Sequence, residues 1–254
     1  MGYAPPIRRC NIGRGHVYED ANGRPIPGVT TIIGKGLPKP ALTAWAARTV
    51  AEAAINRWDE LAEQAISVRL KTLKDAPWAD RDSAARRGTE VHGLAEALIK
   101  GERVTVPDEL AGHVDSYLKF LNDWDPDPIL VEAVIVNYTV GYAGTLDSVV
   151  AIDKRTLIID IKTTRSGVYG EVAAQLAAYR YAEMYVDALG CEQPMIPVDG
   201  AAVLHVRSDG YSLIPVEAGP QQFRAFRYIA EVAKFADNNP ALLGDELPPP
   251  AQAR

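Results

Sequence analysis

The sequence predicts an α/β protein in which a mixed central β-sheet is flanked by helices and preceded by a helical N-terminal elaboration. Three observations carry this. Apolar residues recur at three- and four-residue intervals through much of 40–122, the spacing of amphipathic helices. β-Branched runs separated by short turns dominate 129–163. A helical run, two more strands and a last helix then alternate, as in layered α/β folds.

The elements follow in order. His16–Asp20 runs into Ala-Asn-Gly-Arg-Pro, which reads as strand and turn. Val29–Ile33 is β-branched between Gly28 and Gly34 and reads as a short strand or extended segment. Pro40 opens a helix whose Leu42, Trp45, Ala46, Thr49, Val50 and Ala53 share a face. A second helix spans Asp59 to Leu73, with Pro77 as its breaker. A third starts at Asp80 or Ser83 and runs to Lys100, where Gly101 ends it. A fourth covers Pro107 to Asn122. Beyond the loop at 123–128 come strands Ile129–Tyr138, Thr145–Ile152 and Thr156–Thr163. An Ala-rich helix, Glu171–Leu189, leads to strands Ala201–Arg207 and Tyr211–Val216 and a helix Pro220–Phe235. The organisation is an N-terminal elaboration over 1–79, a core over 80–240 and a flexible tail over 241–254.

Composition narrows the function classes. The chain has 254 residues, 47% hydrophobic and 24% charged, as ordinary globular proteins do. No stretch approaches the roughly 18 apolar residues of a membrane span, so no membrane partner is expected. The polar start lacks the form of a signal peptide, and a cytoplasmic location is expected. Two cysteines, Cys10 and Cys191, cannot build a disulfide framework. The net charge of −6 argues against non-specific coating of nucleic acid, but it is uneven. Residues 1–103 carry 16 basic and 12 acidic side chains, and residues 104–254 carry 11 and 21.

Several acidic residues stand where ligands would. In Thr156–Thr163, Leu157, Ile159 and Ile161 share one strand face, and Ile158, Asp160 and Lys162 the other. Charges in so apolar a strand need a partner or a metal, although an edge strand with a solvated ion pair has the same pattern. The preceding strand places Thr145, Asp147 and Val149 on one face. Its short connection, Asp153–Arg155, predicts an antiparallel hairpin that brings Asp147 beside Asp160. Paired carboxylates repel unless a cation lies between them, and an incomplete oxygen cage suits Mg²⁺ or Mn²⁺. Lys162 could then hold an attacking water or offset phosphate charge. Gln175 and Tyr179 lie one helical turn apart, as a surface Gln and a half-buried Tyr also would. Gly88, His92 and Glu96 are successive i+4 positions, where a lone His is more often structural than a ligand. His16, His113 and His205 read as structural or surface residues.

The ordered set Arg-Gly-Thr-x-Val-His, Gly-Thr-Leu-Asp, Ile-Asp-Ile-Lys-Thr and Gln-Leu-Ala-Ala-Tyr, spanning Arg87 to Tyr179, resembles the RecB-like branch of the PD-(D/E)XK nuclease superfamily. It looks most like phage-encoded exonucleases related to the CRISPR-adaptation RecB-type nucleases. Val-Thr-Thr-Ile-Ile and Pro-x-Leu-x-x-Trp-Ala at Pro40–Ala46 resemble phage members more loosely. The resemblance implies a restriction-endonuclease-like core. It implies His92, Asp147, Asp160 and the Ile161 carbonyl as ligands of Mg²⁺ or Mn²⁺, Lys162 as the catalytic lysine, and Gln175 and Tyr179 beside DNA. Glu132 has a counterpart in the group, though a structural ion pair explains it equally. Many relatives hold an iron–sulfur cluster on four cysteines, and with two distant ones no cluster is expected here.

The implied function is a divalent-metal-dependent DNA exonuclease of phage recombination, replication or repair. A structure-specific endonuclease or nickase on the same site is the alternative enzyme, and a non-catalytic DNA-binding accessory the alternative from another class. Arg86, Arg87 and Arg165 are candidate phosphate contacts near the site. The partners implied are DNA ends and, by phage analogy, a single-strand annealing protein or recombinase.

Overall fold

A seven-stranded mixed sheet with helices on both faces organises the chain, matching the predicted fold class. The computed structural model describes residues 7–13, 15–164 and 167–246. Strands β1 (Ile7–Ile12), β2 (Gly15–Asp20) and β3 (Pro25–Ile26) form a small antiparallel sheet. Helices α1 (Val29–Gly36), α2 (Pro40–Asn56), α3 (Trp58–Ala62), α4 (Ile66–Ile99) and α5 (Ala111–Trp124) follow. The central sheet comprises β4 (Asp127–Asn137), β5 (Tyr142–Ile152), β6 (Arg155–Lys162), β7 (Met184–Val186), β8 (Glu192–Pro194), β9 (Gly200–Arg207) and β10 (Gly210–Val216). Helix α6 (Val172–Arg180) lies between β6 and β7, and α7 (Pro220–Asn238) follows β10.

The strand order is β10-β9-β6-β5-β4-β7-β8. β4, β5 and β6 form an antiparallel meander, because their connections are too short for a crossover. β6 and β9 are parallel, with α6 in the crossover between them. On one face Ile158, Val149 and Val203 pack under α1, α6 and α7 through Ile32, Leu176 and Phe226. On the other, Val150, Ile159, Ile161 and Leu204 pack under α5 and the end of α4 through Tyr117, Phe120 and Ala95. The small sheet docks beside that second layer, with Ile7 and Tyr18 against Val136 and Ala143.

Four expectations are corrected. Val29–Ile33 is not a strand but the start of α1, since Val29, Ile32 and Ile33 at i, i+3 and i+4 all reach the core. Tertiary burial overrides the β propensity of these residues. Gly36 lets α1 meet α7, because a Cβ there would lie 2.2 Å from the Ile229 carbonyl oxygen. Pro77 does not end a helix: α4 runs through it for 34 residues and across the expected 79/80 boundary. The cost of about 3 kcal/mol for an internal proline is borne by a helix that packs against both α2 and α5. The helix expected over Glu171–Leu189 stops at Arg180. There the Asn137 amide donates to the Tyr181 carbonyl and Glu183 N–H donates to the Val136 carbonyl, diverting the chain into β7.

The fourth correction concerns the face shared by Thr145, Asp147 and Val149. Thr145 faces the small sheet, where its hydroxyl meets Tyr18, whereas Val149 lies in the opposite core with Leu146. Leu130 and Ala133 on β4 also share that core although three apart. Strict alternation is therefore broken on both strands at Glu132 and Asp147. Glu132 takes φ 49°, a left-handed value that a non-glycine residue rarely holds away from a turn. The break turns both carboxylates out of the core. Among the described residues, no helix is long and apolar enough to cross a membrane.

Candidate functional site

The broken alternation opens a cleft of about 410 Å³ between α4 and the small sheet. β4 supplies Glu132, β5 supplies Thr145 and Asp147, and β6 supplies Asp160 and Lys162. α6 contributes Gln175 and Tyr179, and α4 contributes His92 and Glu96. Arg9, His16 and Tyr18 form the remaining wall.

His92 sits among the carboxylates. Its Nδ1 lies 3.5 Å from Asp147 Oδ1 and 4.0 Å from Glu132 Oε1, and Nε2 donates to the Ile161 carbonyl at 3.0 Å. Burial works to lower its pKa, but Asp147, Asp160 and Glu132 overcome this and raise it to about 9. Both ring nitrogens therefore carry protons near neutrality. Burial and the nearby Asp147 push Glu132 up to about 7. Asp147 is held below the usual carboxylate range. Its burial is outweighed by His92 and by the Ile161 N–H, which donates to Oδ2 at 2.6 Å.

Asp160 is 2% exposed. Burial and the facing Asp147 raise its pKa, and Lys162 works against them. Gln175 Nε2 donates to Asp160 Oδ1 at 2.8 Å and to the Tyr179 hydroxyl at 3.1 Å, while Gln175 Oε1 lies 3.5 Å from Lys162 Nζ. The amide orientation is fixed, because a lysine can only donate and an ionised carboxylate only accept. Lys162 Nζ is 2.7 Å from Asp160 Oδ2, yet that buried oxygen has no aligned hydrogen-bond donor. The contact is thus an oblique ion pair that neutralises charge and leaves a lone pair unmet. Gly144 makes this arrangement possible, since a Cβ there would lie 2.8 Å from Tyr179 Cε1.

The residues fit a divalent cation. His92, Glu132 and Asp147 each bring one ligand atom within 4.8 Å of the other two. In this mixed donor set the carboxylates suit Mg²⁺ or Mn²⁺, and the imidazole adds a softer nitrogen. The unmet Asp160 oxygen adds a donor nearby. The fold thus brings His92, Asp147, Asp160, Lys162, Gln175 and Tyr179 to one cleft. Among the described residues it puts Glu132, rather than Asp160, in the trio with His92 and Asp147 whose ligand atoms lie within 4.8 Å of one another.

Other expected residues lie elsewhere. Arg86 and Arg87 line a neighbouring cavity of about 800 Å³ with Thr163, Thr164 and Arg207, next to the carboxylate cleft and not in it. Arg165 lies outside the described residues. His205 is buried and donates to the Thr164 carbonyl, as a structural histidine would. His16 does not stay a bystander, because it and Arg9 line the cleft. The alternation of His16 with Tyr18 on one strand hinted at a shared face, but nothing local said what that face would meet.

No protein-family model matches the chain, and no curated protein does. Sixteen chains among the solved structures match it. One is a crystal structure of SSO0001, at 12% identity over 64% of this chain and 71% of that chain, with a TM-score of 0.28. So low a score carries no argument about fold or function.

Proposed function

We propose that this protein is a divalent-metal-dependent deoxyribonuclease, an exonuclease that hydrolyses phosphodiester bonds at the cleft around Asp147, and that it belongs to the RecB-like PD-(D/E)XK nucleases it resembles. The observation that supports the reading best is the convergence, in one cleft, of a His–Glu–Asp trio with a buried aspartate–lysine pair fixed by Gln175. A bound Mg²⁺ or Mn²⁺, held by His92, Glu132 and Asp147 with Asp160 nearby, would supply Lewis acidity to a phosphoryl oxygen.

The chain's own groups do the rest. Lys162 is the cation nearest the buried carboxylate, and its three N–H donors can hold a water in line with phosphorus or meet charge growing on the phosphate. Gln175 restrains both Lys162 and Asp160, and Tyr179 restrains Gln175, so reacting groups keep their positions without reorganising. The acidic cleft repels a polyanion until a cation neutralises it, which makes substrate binding conditional on metal.

The test uses end-labelled linear DNA and closed circular DNA with Mg²⁺ or Mn²⁺. The expected result is release of nucleotides from the linear substrate only, lost in Asp160→Asn and Lys162→Ala variants that still fold. Cleavage of the circle would assign an endonuclease. Metal-dependent DNA binding without cleavage would assign a non-catalytic accessory. Full activity in either variant would refute the mechanism.

A further inference from the structure

The small sheet has no part in the chemistry described so far, yet it forms one wall of the cleft. Arg9 on β1 reaches towards Glu132, NH1 to Oε2 at 4.0 Å, a distance beyond hydrogen-bond range. Its NH2 lies 3.5 Å from His16 Nδ1. Arginine has only donors, so this histidine nitrogen must accept, and the proton of a neutral ring sits on Nε2. Burial and Arg9 both lower the His16 pKa, in keeping with a neutral ring. Nε2 then donates to the Tyr18 hydroxyl at 3.1 Å, and that hydroxyl is hydrogen-bonded to Thr145 Oγ1 at 2.9 Å. One chain of hydrogen bonds therefore runs from Arg9 to the strand that bears Asp147 two residues on. It holds the guanidinium in the cleft and leaves the fork without a short anionic partner among the described residues.

The charged groups form a row: Arg9, Glu132, His92, Asp147, with Asp160 and Lys162 beyond. Positive side chains close both ends. Once a cation takes up Glu132, Arg9 has no anion left in the row to match. Resting on the nuclease reading above, we infer that β1 and β2 form the outer wall of the substrate cleft and that Arg9 grips a strand phosphate next to the one being cleaved. His16 and Tyr18 are positioning residues that aim it. A guanidinium fork suits two oxygens of one phosphate, which a lysine cannot match.

The test reads binding separately from catalysis. A fluorescein-labelled single-stranded oligonucleotide is titrated by anisotropy, in CaCl₂, against Lys162→Ala protein with and without Arg9→Ala. Loss of one charge-assisted phosphate contact predicts a dissociation constant weaker by about ten- to a hundredfold. Arg9→Lys, which preserves charge and strand, recovers part of it. Oligonucleotides carrying a single neutral methylphosphonate complete the cycle: one position next to the scissile phosphate weakens binding when Arg9 is present and has no further effect when it is absent. The scan with Arg9 intact needs no variant at that position to fold.

Equal binding with and without Arg9, or a methylphosphonate effect that is the same in both, overturns the inference. If the wild type cleaves DNA while Arg9 proves irrelevant, the nuclease reading stands and the subsite falls. If the wild type cleaves nothing but the position-specific Arg9 effect appears, the subsite stands as a binding site and the nuclease reading falls.

Discussion

Replacing Lys162 by Met removes the charge facing Asp160 while keeping most of the aliphatic stem. Asp160 is 2% exposed, so its carboxylate cannot turn to water, and Gln175 alone remains as a donor. Breaking a buried pair costs about 3–5 kcal/mol. The Lys162 side chain is itself 30% exposed, and discounting for that screening leaves about 2–3 kcal/mol near pH 7.5. On a chain of this size that is a fall in Tm of about 5–10 °C. The sign of the pH dependence is fixed by Asp160, whose folded pKa already lies above its ordinary value. Such a carboxyl binds more protons folded than unfolded between the two values, so its burial costs stability above the folded pKa and costs nothing below the unfolded one. Without Lys162 the folded pKa rises further and the penalty grows at high pH only. Thermal and urea unfolding of both proteins at pH 7.5 and pH 5 measure it, with the difference between them cancelling every group they share. The expected gap is wide at pH 7.5 and shrinks to about 0.5 kcal/mol or less at pH 5, where Asp160 is protonated in both proteins. A gap of equal size at both pH values would show that Lys162 contributes packing and not charge.

Other consequences are open to measurement. Gly144→Ala forces its new Cβ to within 2.8 Å of Tyr179 and 3.3 Å of Val29, and overpacking of that kind costs about 1–3 kcal/mol, to be read from Tm. Displacing Tyr179 should also lower kcat, through Gln175. Tyr179→Phe removes only the hydroxyl that restrains Gln175, so kcat should fall while secondary structure by circular dichroism is unchanged. A cation bound through His92 must displace a proton held to about pH 9, so Mn²⁺ affinity by calorimetry should rise about tenfold per pH unit between 7 and 9 and more steeply below 7, where Glu132 also titrates. An affinity flat across that range would exclude His92 as a ligand.

The parts of the molecule that a sequence shows are those with local causes. Strands β5 and β6 were legible because a short charged turn joins two apolar runs, Asp153 and Lys154 in the folded hairpin, and a hairpin needs nothing more. Asp160 and Lys162 stood out because two charges interrupt one face of an otherwise apolar strand. Helix α1 was not legible, because Val29, Ile32 and Ile33 fit a strand equally until α7 packs on Gly36. The continuity of α4 through Pro77 has the same character, since contacts with α2 and α5, distant in sequence, are not visible locally. The turn of α6 into β7 depends on Asn137, a residue 44 positions from the carbonyl it binds. The role of Glu132 stayed undecided in sequence because its left-handed backbone, which aims the carboxylate, has no signature in residue type. Arg9 and His16 were missed for the most distant reason of all, a contact made across more than a hundred residues.

That contact also imposes an order in time. Tyr18 and Thr145 are separated by 127 residues. A ribosome adding ~5–20 residues per second needs roughly 6–25 s to bridge them. Throughout that interval β1 to β3 exist without the strands that bury Ile7 and Tyr18, and a hairpin with only a two-residue third strand beside it is marginal in water. The earlier-made segment is therefore among the last to settle. A nascent or truncated chain carries at most part of the cleft, and the wall bearing Arg9 closes only when the central sheet is there to receive it.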